Sequence, residues 1–325
     1  MNSVFDPSVR PARLGLTLLG GELNRSILVA LARRPMSQHQ LKAWLIVASA
    51  TTLHRRLREL LDARAIERQE ACEPGLRVQY ELTPAGVALL GVLAVAARWL
   101  HRHPSRPLEP TSPVGWRAFA ALVEAWDLGL IQAIAERPRS SEDLRGPRGD
   151  LSAHKVEREL VRLSGAGILR RGRDPGGAVY HGLSDWGRLG IGVLAAAARW
   201  ERAHVPRQAT PVTVADATAG LIATLPLVRL PEETSGICAF TFEADPRQVP
   251  GPRAGAVWAE VGQGRLRSCG AGPAPRPPIA WAHGSIDSWF EALIDGRSSA
   301  VKTGGRPDLS ICLRRLHARL YGGED

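Results

Sequence analysis

Three arginines, one histidine and two threonines fall on one side of a helix that the sequence predicts at 50–63. The leucines at 53, 57, 60 and 61 recur at helical spacing and form its buried stripe. The polar residues lie off that stripe and therefore face solvent. Arginine can donate two hydrogen bonds to a guanine edge, threonine can contact a thymine methyl group, and arginine or histidine can bind phosphate. These side chains are candidates for binding DNA: Thr51, Thr52, His54, Arg55, Arg56 and Arg58.

The elements that would position this helix are two helices before it and a hairpin and a long apolar helix after it, predicted at 23–33, 38–44, 67–82 and 84–101. Ser37 stands where an N-cap of the second helix is needed. Glu73-Pro74-Gly75 supplies the turn of the hairpin. Arg68 and Arg77 flank the hairpin, which makes them further candidates for DNA contact.

The chain repeats itself at an offset of 101–103 residues. ILVALARRPMSQHQL at 27–41 matches LIQAIAERPRSSEDL at 130–144, and GVLAVAARW at 91–99 matches GVLAAAARW at 192–200. We therefore predict a second copy of the same unit, with its third helix at 152–164 and its hairpin at 170–180. The second copy supplies these DNA-binding candidates: His154, Lys155, Arg158, Arg162, Arg170, Arg171 and Arg173.

The order helix, helix, helix, hairpin, helix resembles the winged helix-turn-helix of HxlR/MarR-type transcriptional regulators. The most specific segment is VQYELTPAG at 78–86, because a Tyr-x-Leu-Thr-x-x-Gly closes the wing in that family. The resemblance covers about 20–103 and, less completely, 122–204, where His181-Gly182-Leu183-Ser184 replaces Glu-Leu-Thr. It implies double-stranded DNA as partner, with the third helix in the major groove.

The closing helix usually dimerises in that family. Here its two copies are nearly identical and rich in alanine, which permits close approach. We expect them to pack on each other within one chain. The protein would then be a monomeric pseudo-dimer or a homodimer.

A different domain is predicted after a proline-rich connector at 205–211. Its helices and strands alternate, with helices at 214–225, 286–295 and 308–320 and strands at 236–243, 255–261, 264–269, 279–283 and 300–303. This order, most specifically over 281–320, resembles the sterol-carrier-protein-like fold, in which helices cover a small sheet around an apolar tunnel. The resemblance implies a hydrophobic small-molecule ligand. Aromatic residues are the candidates for binding it: Phe240, Phe242, Trp258, Trp281, Trp289 and Phe290.

Charge divides the chain in the same way. The net charge is +10, and all of the excess lies in residues 1–209, since residues 210–325 carry 12 basic and 12 acidic side chains. A basic part suits a polyanion. The predicted fold class is α+β: two mainly helical winged helix-turn-helix domains at 1–106 and 107–207, followed by a small α/β sandwich-like domain at 208–325.

Several functional classes lack support in the sequence. The start has no apolar secretory segment, and the longest apolar runs, at 86–100 and 189–200, are shorter than the roughly 20 residues of a membrane span. We therefore expect a cytoplasmic protein with no membrane partner. The cysteines at 72, 238, 269 and 312 lack zinc-site spacing, and Gly-x-Ser-x-Gly and Walker-type loops are absent. We expect no enzyme, no metal and no cofactor.

Three functions remain open at this point. The first is a DNA-binding regulator whose C-terminal domain senses a hydrophobic small molecule. The second is a sequestering protein in which the winged helices serve as scaffold. The third is a DNA-repair glycosylase built on tandem winged helices.

Overall fold

The structure is a computed structural model that describes residues 12–45, 49–70, 78–127, 129–145, 153–173, 176–207, 209–244 and 253–322. We divide the chain into a first unit (12–106), a second unit (107–207) and a C-terminal domain (208–322). Arg77 and the predicted turn at 73–75 lie outside the described residues.

The first unit has the predicted order of elements, with one helix added at its start. Its elements are α1 (Arg13–Gly20), α2 (Glu22–Leu31), α3 (Gln38–Leu45), α4 (Ala50–Asp62), β1 (Ile66–Glu70), β2 (Val78–Leu82) and α5 (Pro84–His101). The helix α1 was not predicted, and the helix predicted at 23–33 ends two residues earlier, at Leu31. Leu53, Leu57 and Leu60 are buried, so the predicted inner stripe of α4 is confirmed. We call the antiparallel hairpin of β1 and β2 the first wing.

The second unit repeats this order. Its elements are α6 (Pro113–Asp127), α7 (Leu130–Ala135), β3 (Arg139–Ser140), α8 (Ser141–Arg145), α9 (Ala153–Gly165), β4 (Leu169–Arg173), β5 (Val179–Leu183) and α10 (Asp185–His204). The antiparallel pair of β4 and β5, which we call the second wing, begins one residue before the predicted hairpin and ends three residues after it. A third strand joins it through β3.

The closing helices α5 and α10 begin with the same geometry despite their different sequences. The Thr83 hydroxyl accepts from the backbone N–H of Gly86, and the Ser184 hydroxyl accepts from that of Gly187. A Cβ at Gly86 would lie 2.0 Å from the carbonyl oxygen of Ala65. A Cβ at Gly187 would meet the corresponding carbonyl at 2.2 Å, so both positions require glycine. The divergent wing segment of the second unit therefore preserves the helix start.

The closing helices pack on each other, as predicted. The rings of Trp99 and Trp186 stack with centroids 4.3 Å apart. Trp99 Nε1 donates to the carbonyl of Trp186 at 2.9 Å, and Trp186 Nε1 donates to that of Trp99 at 2.8 Å. At the position equivalent to Trp99, Trp200 Nε1 donates to the carbonyl of Ala85 at 2.7 Å. The contacts therefore repeat about an approximate two-fold axis, as in a dimer of identical subunits.

The additional helix α1 connects the two units. It packs on α10, where a Cβ at Gly15 would lie 3.2 Å from the Trp200 ring. The buried carboxylate of Glu201 accepts from the backbone N–H of Ala12 at 3.1 Å and from that of Gly15 at 2.9 Å. Acceptors at a helix start satisfy N–H groups that have no partner within the helix. Burial raises the pKa of Glu201 to about 7, although these hydrogen bonds act in the opposite direction.

The C-terminal domain is a five-stranded sheet with helices on one face. Its elements are α11 (Val214–Thr224), β6 (Gly236–Glu243), β7 (Ala254–Gly262), β8 (Arg265–Ala271), β9 (Ala280–Ser285), α12 (Ile286–Leu293), β10 (Lys302–Gly305) and α13 (Leu309–Tyr321). The strand order is β10-β9-β6-β7-β8, with β6 and β9 parallel and the other neighbours antiparallel. The helices α11, α12 and α13 pack on this sheet, and the core lies between them and it.

Candidate nucleic-acid interface and ligand cavity

The outer face of α4 presents most of the predicted DNA-binding side chains to solvent. Thr51, His54, Arg55 and Arg58 are exposed, and Thr52 is half-buried. The side chains of His54 and Arg58 have no hydrogen bond or ion pair with the described residues, so they are available to a partner. Ser49 caps the helix by accepting from the N–H of Thr52, which fixes where this face begins.

Arg56 is the exception on α4. Its guanidinium donates to the Glu59 carboxylate at 2.7 Å, and Asn24 of α2 donates to the same carboxylate at 3.4 Å. Burial opposes ionisation of Glu59, but the hydrogen bonds from Arg56 and Asn24 hold the pKa of that carboxyl below its usual value. Arg56 therefore joins α4 to α2 through Glu59, whereas Arg55 is the more exposed partner of that carboxylate, at 3.6 Å.

The corresponding face of α9 is less uniform. His154 and Arg158 are exposed, and Lys155 is half-buried. Arg162 is half-buried, and 32% of its side chain remains exposed. Its guanidinium lies 2.7 Å from the buried carboxylate of Glu159 and 2.9 Å from that of Glu124 on α6. A buried carboxylate requires a cationic partner, and this need turns Arg162 toward the body of the unit.

The wings carry the remaining candidates. Arg68 is exposed on β1. Arg170, Arg171 and Arg173 are exposed on β4 and form no ion pair with the described residues. Arg171 and Arg173 project from one face of this strand and Arg170 from the other, so three unpaired guanidinium groups lie along one strand of the second wing.

The larger apolar cavity lies between the second unit and the C-terminal domain. It has a volume of about 110 Å³. Phe242, Trp289 and Phe290 line it, so three of the predicted ligand-binding residues share one cavity. Its other wall comes from the second unit, through Trp126 on α6 and residues of α10 that include Ile191, Leu194, Ala195 and Ala198. No signal in the sequence pointed to these residues, because their apolar spacing is that of ordinary helix packing.

A smaller cavity of about 30 Å³ lies beneath the sheet. Phe240, Cys238 and Cys312 are among its lining residues. Leu221 of α11 lines both cavities, so its side chain stands between them. Phe240 therefore belongs to the core beneath the sheet and not to the larger cavity.

Trp258 and Trp281 line neither of these two cavities, so the structure does not bring them together with Phe242, Trp289 and Phe290. Both pair in register with Ala239, which faces away from the covering helices. The Trp281 side chain is 43% exposed. Successive residues of a strand point to opposite faces, so the register alone places these tryptophans on the open side of the sheet.

A few polar groups surround the larger cavity. The Tyr321 hydroxyl donates to the carbonyl of Gly192 on α10 at 3.2 Å, and burial raises the pKa of this phenol. Asp216 joins Thr213 in the capping box that begins α11. Thr224 also lines the cavity, but its hydroxyl donates to the carbonyl of Gly220 at 3.0 Å. The rest of the lining is apolar, which suits a small, largely apolar molecule.

Metal sites and membrane-spanning helices are two further features that bear on the functional class. Among the described residues no group of three or more His, Cys, Asp or Glu is arranged to hold a metal ion. Within the described residues, one helix, α5, is long and apolar enough to span a membrane. The sharply bent pair α1 and α2 is also long and apolar enough if the two helices are taken as one span. In the structure α5 packs along α10 through the tryptophan contacts described above.

Comparison with known families identifies one part of the chain. Residues 18–107 match the family described as HxlR-like helix-turn-helix. This segment is thus similar to HxlR-like helix-turn-helix domains, and the similarity supports a role in DNA-binding transcriptional regulation. A search of curated proteins found no match to the chain.

Proposed function

We propose that the protein is a DNA-binding transcriptional regulator whose affinity for DNA responds to a small apolar molecule bound between the second unit and the C-terminal domain. In this proposal both units are winged helix-turn-helix modules. The C-terminal domain is a sensor of the sterol-carrier-like type, and the chain acts in the cytoplasm. The HxlR-like match over 18–107, on the segment that carries α4, is the observation that carries the DNA-binding part.

The exposed face of α4 supports this function chemically. Arg55 and Arg58 project beyond a helix whose inner face is fixed by three buried leucines. A rigid helix that presents arginine and threonine fits the major groove, where each good bidentate contact contributes about 1–3 kcal/mol of discrimination.

The location of the larger cavity supports the sensor. Its walls come from both the second unit and the C-terminal domain, so a ligand that fills it alters how the two pack. Tyr321 and Leu320, at the end of α13, line the cavity and also contact Gly192 of α10. The same helix end accepts a hydrogen bond from Arg102, just beyond α5, at the Arg319 carbonyl.

The end of α13 thus contacts the closing helices of both units. A ligand that displaces Tyr321 changes the support of α10 and α5 together, and with it the separation of α4 and α9. Coupling between two sites in proteins is typically about 1–3 kcal/mol, which corresponds to 5- to 150-fold in affinity.

The DNA part is tested by fluorescence anisotropy with the duplex upstream of the protein's own gene and a scrambled duplex, over a range of salt concentrations. We expect selective binding that persists at about 150 mM salt, where contacts with phosphates alone are strongly weakened. Equal and salt-sensitive binding to both duplexes would contradict the DNA part.

The sensor part is tested with benzene, a neutral apolar probe that suits a cavity of this size, and its binding is measured by titration calorimetry. We expect it to bind the wild-type chain and to change DNA affinity at saturation. Ala195→Trp fills the cavity and should abolish binding of benzene, whereas Trp281→Ala, on the open sheet face, is the matched control and should preserve it. Benzene binding with unchanged DNA affinity would indicate sequestration instead of sensing.

A further inference from the structure

The two units form a dimer-like pair whose DNA-facing surfaces differ. The hydrogen bond from Trp99 to the carbonyl of Trp186 is repeated by the one from Trp200 to the carbonyl of Ala85, as an approximate two-fold axis requires. In a dimer of identical chains such an axis presents two identical surfaces, which read the two halves of a palindrome. Here one gene encodes both halves, so each surface is free to differ.

The outer faces of α4 and α9 differ at almost every equivalent position. At the offset of 103 residues that aligns their buried stripes, Thr51 corresponds to His154 and His54 corresponds to Glu157. Arg58, which has no partner among the described residues, corresponds to Val161, a side chain that is 72% exposed. A valine in this place cannot donate to a base edge, and a glutamate is repelled by phosphates. Arg158 on α9 matches Arg55, so one arginine is kept, and α4 carries the larger share of the base-reading side chains.

The wings differ in charge, and here the second unit carries the groups that suit DNA. Glu67 and Glu70 of the first wing correspond to Arg170 and Arg173 of the second. In the first wing Glu67 also lies directly across from Glu81. Partial desolvation and, after it, this neighbouring carboxyl raise the pKa of Glu81. The strands of the second wing carry three arginines and no acidic residue. The hairpin tips outside the described residues add Glu73 and Arg77 to one wing and Asp174 to the other, which leaves the difference in sign unchanged.

These differences assign separate tasks to the two units. An acidic wing is repelled by the DNA backbone, so the first unit depends on its helix for contact. Three free arginines on the second wing can neutralise phosphates or enter a narrow minor groove, where they confer affinity with little base discrimination.

We propose that the protein recognises an asymmetric DNA site. In it, α4 reads the bases of one half-site, and the second wing holds the backbone of the other half-site through Arg170, Arg171 and Arg173. This inference rests on the proposed DNA-binding function, and it specifies the class of DNA that the function requires.

The site is determined by selecting duplexes with a random core of about 30 base pairs, long enough for two half-sites one helical turn apart. The full-length chain is used. We expect a consensus with several strongly specified base pairs on one side and weak or A·T-rich preference on the other. A palindromic consensus, equally specified on both sides, would overturn the inference.

Variants assign each half-site to its unit. Arg58→Ala should reduce discrimination about tenfold to hundredfold at one base pair of the specified half. Val161→Ala, the change at the equivalent place in α9, should leave the consensus unaltered. The triple change Arg170→Ala, Arg171→Ala and Arg173→Ala should weaken binding to all sequences and lower the slope of log K against log salt by roughly three. Thermal unfolding of each variant verifies that it is folded.

The outcomes distinguish a failure of the proposed function from a failure of the asymmetric site alone. If the wild-type chain binds selected and random duplexes equally, the proposed function fails, and this inference fails with it. If binding is selective but Val161→Ala alters the consensus as strongly as Arg58→Ala does, only the division between the units is wrong.

Discussion

Thr83 in the first unit and Ser184 in the second cap their closing helices in the same way, each beside a glycine that lies under a carbonyl oxygen. The positions that assemble the two units are thus held to one geometry. The positions that face solvent are not: two glutamates of one wing are replaced by arginines in the other. Packing therefore restricts the residues of a duplicated unit tightly, whereas the charges on its surface can change.

An ion pair on the third helix is also kept in both units, although its residues differ. In α4, Arg56 donates to Glu59 three residues later, and in α9 the equivalent positions hold Glu159 and Arg162 in reversed order. Each pair connects to an earlier helix of its unit, to α2 through Asn24 in one and to α6 through Glu124 in the other. The interaction is retained while its polarity is exchanged.

The largest expected effect tests whether the equivalent tryptophans of the two closing helices contribute equally to stability. Trp99→Ala and Trp200→Ala each remove a buried ring and a hydrogen bond to the other unit, so each should lower the free energy of unfolding by about 3–5 kcal/mol. Denaturant unfolding measures both. A large loss for one variant and a negligible loss for the other would show that the approximate two-fold axis has no energetic counterpart.

A second prediction concerns a feature without counterpart, since Leu100 occupies the first-unit position equivalent to Glu201. The folded-state pKa of Glu201 is raised to about 7, above its unfolded value. The folded chain therefore holds a proton more tightly. The resulting contribution to stability is present below the unfolded pKa and is lost as pH rises through about 7. Over that interval the change should be at most about 3 kcal/mol.

Glu201→Gln is the variant that isolates this effect. It keeps an acceptor for the N–H groups of α1 but cannot ionise, so its unfolding free energy should vary less with pH between about 4.5 and 7 than that of the wild type. Urea unfolding at several pH values measures the difference. An identical pH dependence in both proteins would assign it to other groups.

A third prediction compares the two capping boxes. Ser37 and Gln40 cap α3 reciprocally, and Ser140 and Asp143 do the same for α8. Ser37→Ala and Ser140→Ala should each cost about 1 kcal/mol of stability. Thermal unfolding at neutral pH provides the values, and a cost near zero for either would show that its box adds nothing.

The boxes should separate under acid. Hydrogen bonds from the backbone and the hydroxyl of Ser140 lower the pKa of Asp143. Its contribution is therefore present above the unfolded pKa and is lost as pH falls. The penalty for Ser140→Ala should shrink in acid, whereas that for Ser37→Ala, whose partner is a neutral glutamine, should not change.

The smallest expected effect tests the exchanged ion pair. The double change Arg56→Glu with Glu59→Arg gives α4 the polarity of α9 and should alter stability by about 0.5 kcal/mol or less, since pairs at this spacing contribute only a few tenths. Arg56→Glu alone places two carboxylates side by side and should cost more. Equal costs for the single and double variants would mean that the pair is not coupled.

The sequence was sufficient wherever a feature depends on local spacing. Period and capping residues predicted α3, α4 and α5 within about a residue, because a helix is defined by its own buried stripe and its ends. The repeat also predicted that α5 and α10 would meet, since the two copies are nearly identical and rich in alanine, which permits close approach. The exposed side chains of α4 were predicted from the same stripe, as the residues that lie off it.

Local spacing fails where an element is covered by a distant one. Trp258 and Trp281 alternate as regularly as Phe240 and Phe242, but which face of the sheet is covered depends on strand register and on where α11 and α13 pack. The larger cavity likewise arises because α10 meets α12, which lies roughly 90 residues further along the chain. Neither pairing leaves a trace in the spacing of residues.

The amino-acid sequence by itself thus determined the elements, the repeat and the charge that differs between the two wings, since each is a property of a contiguous segment. The tertiary structure alone decided that Glu201 caps α1, that Arg162 turns inward and that the ligand cavity lies between domains. These features depend on burial, and burial depends on which segments of the chain, distant in sequence, come together in the fold.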